Sequence, residues 1–200
     1  MNELNDLNHD QNIEQEDANN EENNRYSIFI SYSRSQTKWV EFIEKELYRG
    51  DYSVYWDIQL KAGQVWWEEL CKTIKFCDFF LFVVSDDSNK STYCNAELDW
   101  ATDLKKPVIP VIPEDVYLDL EQDAYGNRDV SNIIPARIQD IEAKVNLDSA
   151  YWLYEIETAI CEFKLKQARG NQKKLPNLDY PEKPRLTMAE AMRYYKEVNK

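Results

Sequence analysis

The chain has a single histidine in 200 residues, His9, and it lies in a polar N-terminal stretch. A Ser-His-Asp triad, a Cys-His pair and an HExxH zinc site all need histidine at the reacting centre, so these chemistries are excluded. Cysteine is sparse as well. Cys71, Cys77, Cys94 and Cys161 form no CxxC pair, follow no regular spacing and sit in or beside apolar stretches. They read as reduced core thiols of a cytoplasmic protein rather than a disulfide framework. No apolar run approaches the roughly 18 residues of a membrane span, and nothing resembles a signal peptide. Basic charge is also short where a core is expected: residues 25–163 hold 14 Lys/Arg against 25 Asp/Glu. Phosphate binding is driven largely by basic side chains, so a general nucleic-acid surface is not expected.

What is present divides the chain into three parts. Residues 1–24 combine eight Asp/Glu with eight Asn and no Lys or Arg. Such a stretch buries too little apolar surface to order itself and is expected to be a disordered tail. Residues 25–168 carry the strand and helix patterns of one domain. Residues 169–200 contain, from Gly170, the proline-rich GNQKKLPNLDYPEKPRL, which reads as a linker. A short terminal helix follows, opened by Thr187 with Glu190 three residues on. This last part is basic, and a solvated tail is the plain reading.

Within the domain, β-prone RYSIFISYS alternates Tyr26, Ile28 and Ile30 with Ser27, Phe29 and Ser31. QTKWVEFIEKELYRG places Trp39, Ile43 and Leu47 at helical spacing, with Val40 beside them and Gly50 as a stop signal. SVYW (53–56) is a short strand, and DIQLKAGQ is a loop. VWWEELCKTIKFC is helical through Trp67, Leu70, Cys71 and Ile74. FFLFVV (79–84) is a continuous apolar run, as a strand buried on both faces requires. SDDSNK reads as a polar loop, and STYCNAELDWATDLKK as a helix capped by Ser91 or Thr92. PVIPVI is a fourth strand, and its two prolines place it toward an edge or make it start late. Residues 113–140 show no clear element, IEAKVNL (141–147) resembles a fifth strand, and SAYWLYEIETAICEFKLKQA is a long helix through Trp152, Ile156, Ala159, Ile160 and Phe163.

Five alternations of strand and helix predict an α/β fold: a flavodoxin-like, five-stranded parallel sheet with helices on both faces. Ligands of such sheets bind outside the carboxyl ends of the strands, where the strand order reverses. That rule selects the turn after Ser31, the loop after Trp56 and the loop after Val84.

Those three places carry a family resemblance. YSIFISYSR, SVYWDIQLKAGQVWWEEL, FFLFVVSDDSNKSTYCNAELDWA and KKPVIPVI, in this order, resemble a Toll/interleukin-1 receptor (TIR) domain of the bacterial and intracellular type, over about residues 25–165. Members of that family are either adaptors that assemble with other TIR domains or enzymes that cleave NAD at the nicotinamide–ribose bond. The enzymatic sort carries a glutamate in a pattern like S…S..C..E, matched here by Ser85, Ser91, Cys94 and Glu97. The resemblance implies that Glu97 is catalytic and that NAD is a substrate, with no bound cofactor and no metal. It implies NAD contacts at Ser33 and Arg34, and at Asp57, Lys61 and Gly63 in the loop after the second strand. Some enzymatic relatives carry an acidic residue where this chain has Lys61. The RDxxPG sequence of animal receptors is replaced by DIQLKAGQ, which lowers the receptor-adaptor reading. Implied partners are other TIR domains, through self-association, and a separate sensor protein.

The chemistry asks little of the side chains. Nicotinamide is already a cationic leaving group, so no strong general acid is needed, and the transition state is oxocarbenium-like, as in glycoside hydrolysis. One fixed carboxylate can stabilise that charge and hold ribose hydroxyls. Beside this stands the plain alternative of a surface glutamate favoured by the helix dipole. Ser33 and Arg34 read equally as a turn with a solvated charge. Cys94 reads as a packing residue, the Asp86-Asp87 pair as a solvated turn, and one of Trp66 and Trp67 faces the core. A nucleoside-processing enzyme with Glu97 as nucleophile is a further alternative.

Overall fold

The computed structural model describes residues 25–50, 52–56, 66–169 and 176–186. The acidic tail, the second-strand loop with Asp57, Lys61 and Gly63, and the predicted terminal helix lie outside the described residues. Five strands form one parallel sheet: β1 (Ser27–Ser31), β2 (Ser53–Trp56), β3 (Phe79–Val83), β4 (Val108–Ile112) and β5 (Val145–Asn146). Their order is β2-β1-β3-β4-β5, that of the expected flavodoxin-like sheet. Because β1 lies between β2 and β3, the chain changes direction across the sheet there.

Residue alternation sends each strand's side chains to two separate cores. On one face Ile28, Ile30, Leu81 and Val83 meet Val40, Ile43 and Leu47 of α1 (Thr37–Arg49) and Ile156 and Ile160 of α6 (Trp152–Arg169). On the other face Phe29, Phe80 and Phe82 meet Leu70, Cys71 and Ile74 of α2 (Trp66–Phe76). Cys94, Leu98 and Ala101 of α4 (Thr92–Asp103) complete that second core. β3 is buried throughout, as its unbroken apolar run requires.

The structure corrects four expectations. Of the two readings of its prolines, the edge position fails, because β4 lies between β3 and β5, while the late start holds, because the strand begins at Val108. Pro107 precedes the strand, and its carbonyl accepts from the Phe80 amide. Residue 111 offers its carbonyl to β3 and residue 112 offers its own to Leu147, so position 110 faces β5. Pairing with β5 begins only at Val111↔Val145, beyond Pro110, so the missing N–H breaks no ladder bond. Second, SDDSNK is not a plain loop: α3 (Asp86–Lys90) is a single turn closed by a reciprocal Ser85–Ser88 capping box. Third, the 113–140 stretch holds α5 (Glu114–Leu118), a 3-10 turn (Ala136–Ile138) and two buried anchors, Ile134 and Ile138. Fourth, Cys161 is exposed on α6, whereas the other three cysteines are buried as expected.

Residues 176–186 contain no helix or strand but pack on the α2–α4 layer. The Trp67 indole N–H donates to the Pro181 carbonyl at 2.8 Å, and Tyr180 meets Trp100 edge to face.

Candidate functional site

The carboxyl ends of β1 and β3 flank the point where the chain changes direction across the sheet. Three short segments meet there. Ser31 ends β1, and its side chain follows Phe29 onto the α2–α4 face by strand alternation. A 3-10 turn, Arg34–Gln36, follows, with Ser33 as its N-cap and the Gln36 amide donating to the Ser33 carbonyl at 2.7 Å. Beyond β3, the capping box of Ser85 turns the chain into α3, and Ser91 then caps α4 by accepting the Cys94 amide.

Glu97 projects from α4 into this end of the sheet. It is only 5% exposed and is the one charged side chain among the buried described residues. The Ser31 hydroxyl, itself buried, donates to Glu97 Oε2 at 2.6 Å, a length typical of a charge-assisted bond. A second link joins the same two elements: the Cys94 thiol donates to the Tyr32 carbonyl at 3.1 Å. Glu97 is therefore not a surface carboxylate, and α4 is tied to the end of β1 at two successive turns.

The Cys71 thiol beside Glu97 is held in its neutral form. Burial pushes the Cys71 thiol up to about 12, and the charges of Glu97 and then Glu68 add to the rise. At the opposite end of the sheet, before β3, Cys77 is likewise raised to about 12, chiefly by burial. Cys94 is a buried packing residue whose thiol is spent on Tyr32. Asp86 pairs with Lys90 one helical turn away. No group of three or more His, Cys, Asp or Glu that could hold a metal ion occurs among the described residues.

Of the predicted contacts, Ser33 and Arg34 are half-buried and adjoin the Ser31 end of β1. Asp57, Lys61 and Gly63 are outside the described residues, although β2 leads to them through Trp56, whose ring meets Tyr32 edge to face. The structure adds two residues that the sequence reading passed over. Ser31 was noted only for its place in the alternation. Tyr93 stands four residues before Glu97 and so on the same side of α4. Its ring meets Trp66 edge to face at 5.2 Å and Trp67 at 5.8 Å, so Trp66 belongs to an aromatic group beside the site while Trp67 is buried. A surface cavity of about 370 Å³ lies elsewhere, at the start of β4 among Lys106, Val108, Glu142, Phe163 and Lys166, and does not include Glu97. Chemically, the switch-point arrangement offers one rigid carboxylate and flanking hydroxyls, suited to holding a polyhydroxylated ligand and opposing developing positive charge.

A family model described as TIR domain matches residues 28–154. Comparison with curated proteins gives no match. Among solved structures, the chain is similar to the TIR domain of the Toll-related receptor TRR-2 from Hydra magnipapillata, at 15% identity and TM-score 0.47, covering 72% of this chain and 99% of that one. It is similar to the TIR domains of the activated Roq1 resistosome at 19% identity and TM-score 0.45, covering 70% and 99%. A prokaryotic SEFIR domain gives 17% identity and TM-score 0.41, covering 77% and 99%. No described helix is long and apolar enough to cross a membrane.

Proposed function

Because this chain belongs to the TIR domain family, we propose that it is an NAD glycohydrolase in which Glu97 is the catalytic carboxylate. The observation that carries this reading is a charged side chain buried at the topological switch point and hydrogen-bonded to the end of β1. Burying a carboxylate is costly, and folding alone does not require one there. The reaction needs no histidine and no metal. The nicotinamide leaves as a neutral base, the ribosyl carbon gains oxocarbenium character, and Glu97 opposes that charge from a site already organised before NAD arrives. Water attack gives ADP-ribose, and attack by the substrate's own adenine gives a cyclic product. Ser33 and Arg34 adjoin the site and are the proposed contacts to ribose and pyrophosphate, Arg34 by its planar fork of donors. Asp57, Lys61 and Gly63 are the proposed contacts from the loop after β2. Turnover depends on association with other TIR domains, in the cytoplasm, in immune or cell-death signalling under a separate sensor.

The test is nicotinamide release from NAD by the purified protein, dilute and then artificially clustered, beside Glu97→Ala. Release by the clustered wild type and its absence in the variant is the expected result. Equal release by both, or none from clustered wild type, overturns the proposal. In the latter case, self-association that survives Glu97→Ala identifies a non-enzymatic TIR adaptor instead.

A further inference from the structure

We infer that Ser31 is the positioning residue for Glu97. The inference rests on the glycohydrolase reading above and assigns a role to a residue outside its set of proposed contacts. Among the described residues, the buried polar side chains are Ser31, Ser85, Ser88 and Glu97. Ser85 and Ser88 satisfy each other's backbone within one turn, which is a local capping role. Ser31 and Glu97 are 66 residues apart and meet only through the tertiary fold, at 2.6 Å.

The geometry makes Ser31 a rigid donor. Its strand is paired on both sides, with β2 and with β3, the Ser31↔Phe82 position included in the register. Ser31 itself pairs with β3, directly after Ile30, which pairs on both sides, so the strand end is held in place by the sheet. Position 31 continues the row begun by Phe29, so an apolar side chain would extend the core. A hydroxyl instead aims at the carboxylate. α4 is held at the same place by the Ser91 cap and by the Cys94–Tyr32 bond, so both ends of the Ser31–Glu97 contact are fixed. The titratable neighbour on α2, Cys71, stays neutral because its thiol is pushed up to about 12, so it places no charge against the pair. Ser31 thus holds Oε2 in one orientation, and the carboxylate meets the ribose without first reorganising. Small misplacements of a catalytic group cost on the order of 100-fold in rate, which sets the size of the expected effect.

Ser31 touches Glu97 rather than NAD in this scheme, so its loss appears in kcat and not in KM. Steady-state NAD turnover is measured on clustered wild type, Ser31→Ala and Ser31→Thr. Ile30→Val, on the same strand but facing the opposite core, reports what a purely structural loss does. Ser31→Ala is expected to lower kcat by about 10- to 100-fold with KM within about threefold, Ser31→Thr to recover most of the loss, and Ile30→Val to change neither by more than about twofold. A folded Ser31→Ala with wild-type kcat overturns the inference. So does a loss confined to KM, which makes Ser31 a substrate contact, or a loss matched by Ile30→Val, which makes it structural. Should Ser31→Thr melt early, Ser31→Cys replaces it as the donor-bearing variant. Wild type that releases no nicotinamide when clustered removes the parent reading and this role with it, a result distinct from active wild type matched by Ser31→Ala.

Discussion

The two helical layers of this sheet solve the same packing problem with different materials. The α1–α6 layer closes over Ile28, Ile30, Leu81 and Val83 with apolar and aromatic side chains. The α2–α4 layer closes over Phe29, Phe80 and Phe82 in the same way until it reaches Ser31, where it admits Glu97. A layer that only has to fold has no use for a buried carboxylate, since an apolar pair of equal volume would serve stability at least as well. Under the proposed function the asymmetry separates the face that maintains the domain from the face that would bear its chemistry, and substitutions on the two faces are then expected to fail in opposite ways.

The sharpest break in that comparison is Glu97→Gln set against Ile156→Ala. Glutamine keeps an acceptor for the Ser31 hydroxyl and removes the buried charge. NAD turnover is expected to fall by about 100- to 1,000-fold, the range seen for removal of one preorganised electrostatic partner, while the thermal midpoint holds or rises. Ile156 is fully buried on α6. Its truncation is expected to destabilise the fold by about 2–5 kcal/mol, on the order of 10 °C at this chain length, while the remaining folded protein keeps its turnover. Melting curves and nicotinamide release measured on both variants decide the matter. A Glu97→Gln protein that melts as early as Ile156→Ala would make the carboxylate a structural element and erase the distinction between the layers.

The apolar layer was the more legible of the two in the sequence. Ile43 and Leu47 with Val40 beside them, then Trp152, Ile156, Ala159 and Ile160, are buried as their helical spacing predicts, while Trp39 and Phe163 of the same stripes are only partly buried. Glu97 was legible as a motif but not as a buried group. A signal was present: Cys94, Glu97, Leu98 and Ala101 follow the i, i+3, i+4, i+7 spacing of a core stripe, which puts the carboxylate on the inward face. Its donor could not be read, because Ser31 lies 66 residues away and their meeting depends on β1 sitting beside β3. The one-turn helices α3 and α5 were missed for a different reason. Five residues span too little of a helix to show a period, and Ser85–Ser88 closes its capping box with serine where glutamate or glutamine is the usual sign. The prolines of β4 misled only as to an edge, because a proline argues against an interior strand only where its nitrogen faces a paired neighbour.

A smaller effect tests the comparison at the rim of the apolar layer. There Asp115 of α5 accepts from the Trp39 indole at 2.8 Å and pairs with Lys38 of α1 at 2.9 Å. Burial pushes the Asp115 carboxyl up, but the hydrogen bonds from Lys38 and Trp39, the Lys38 charge and the Val116 amide outweigh it and hold the group below its ordinary value. A carboxyl depressed in the folded state adds stability above its unfolded pKa of about 3.9, and that contribution is lost as pH falls through the lower folded value. Both side chains of the ion pair are well exposed, so solvent screens it and the gain stays below about 1 kcal/mol. Asp115→Asn is therefore expected to lower the denaturation midpoint slightly at pH 7, with the difference from wild type closing in the acid range below about pH 4. NAD turnover should be unaffected, because the charge sits outside the α2–α4 face. Denaturant titrations at pH 7 and pH 3 make the measurement. A difference as large at pH 3 as at pH 7 would assign the loss to the Trp39 hydrogen bond and the packing of α5 on α1, leaving Glu97 as the only carboxylate in this comparison whose charge matters.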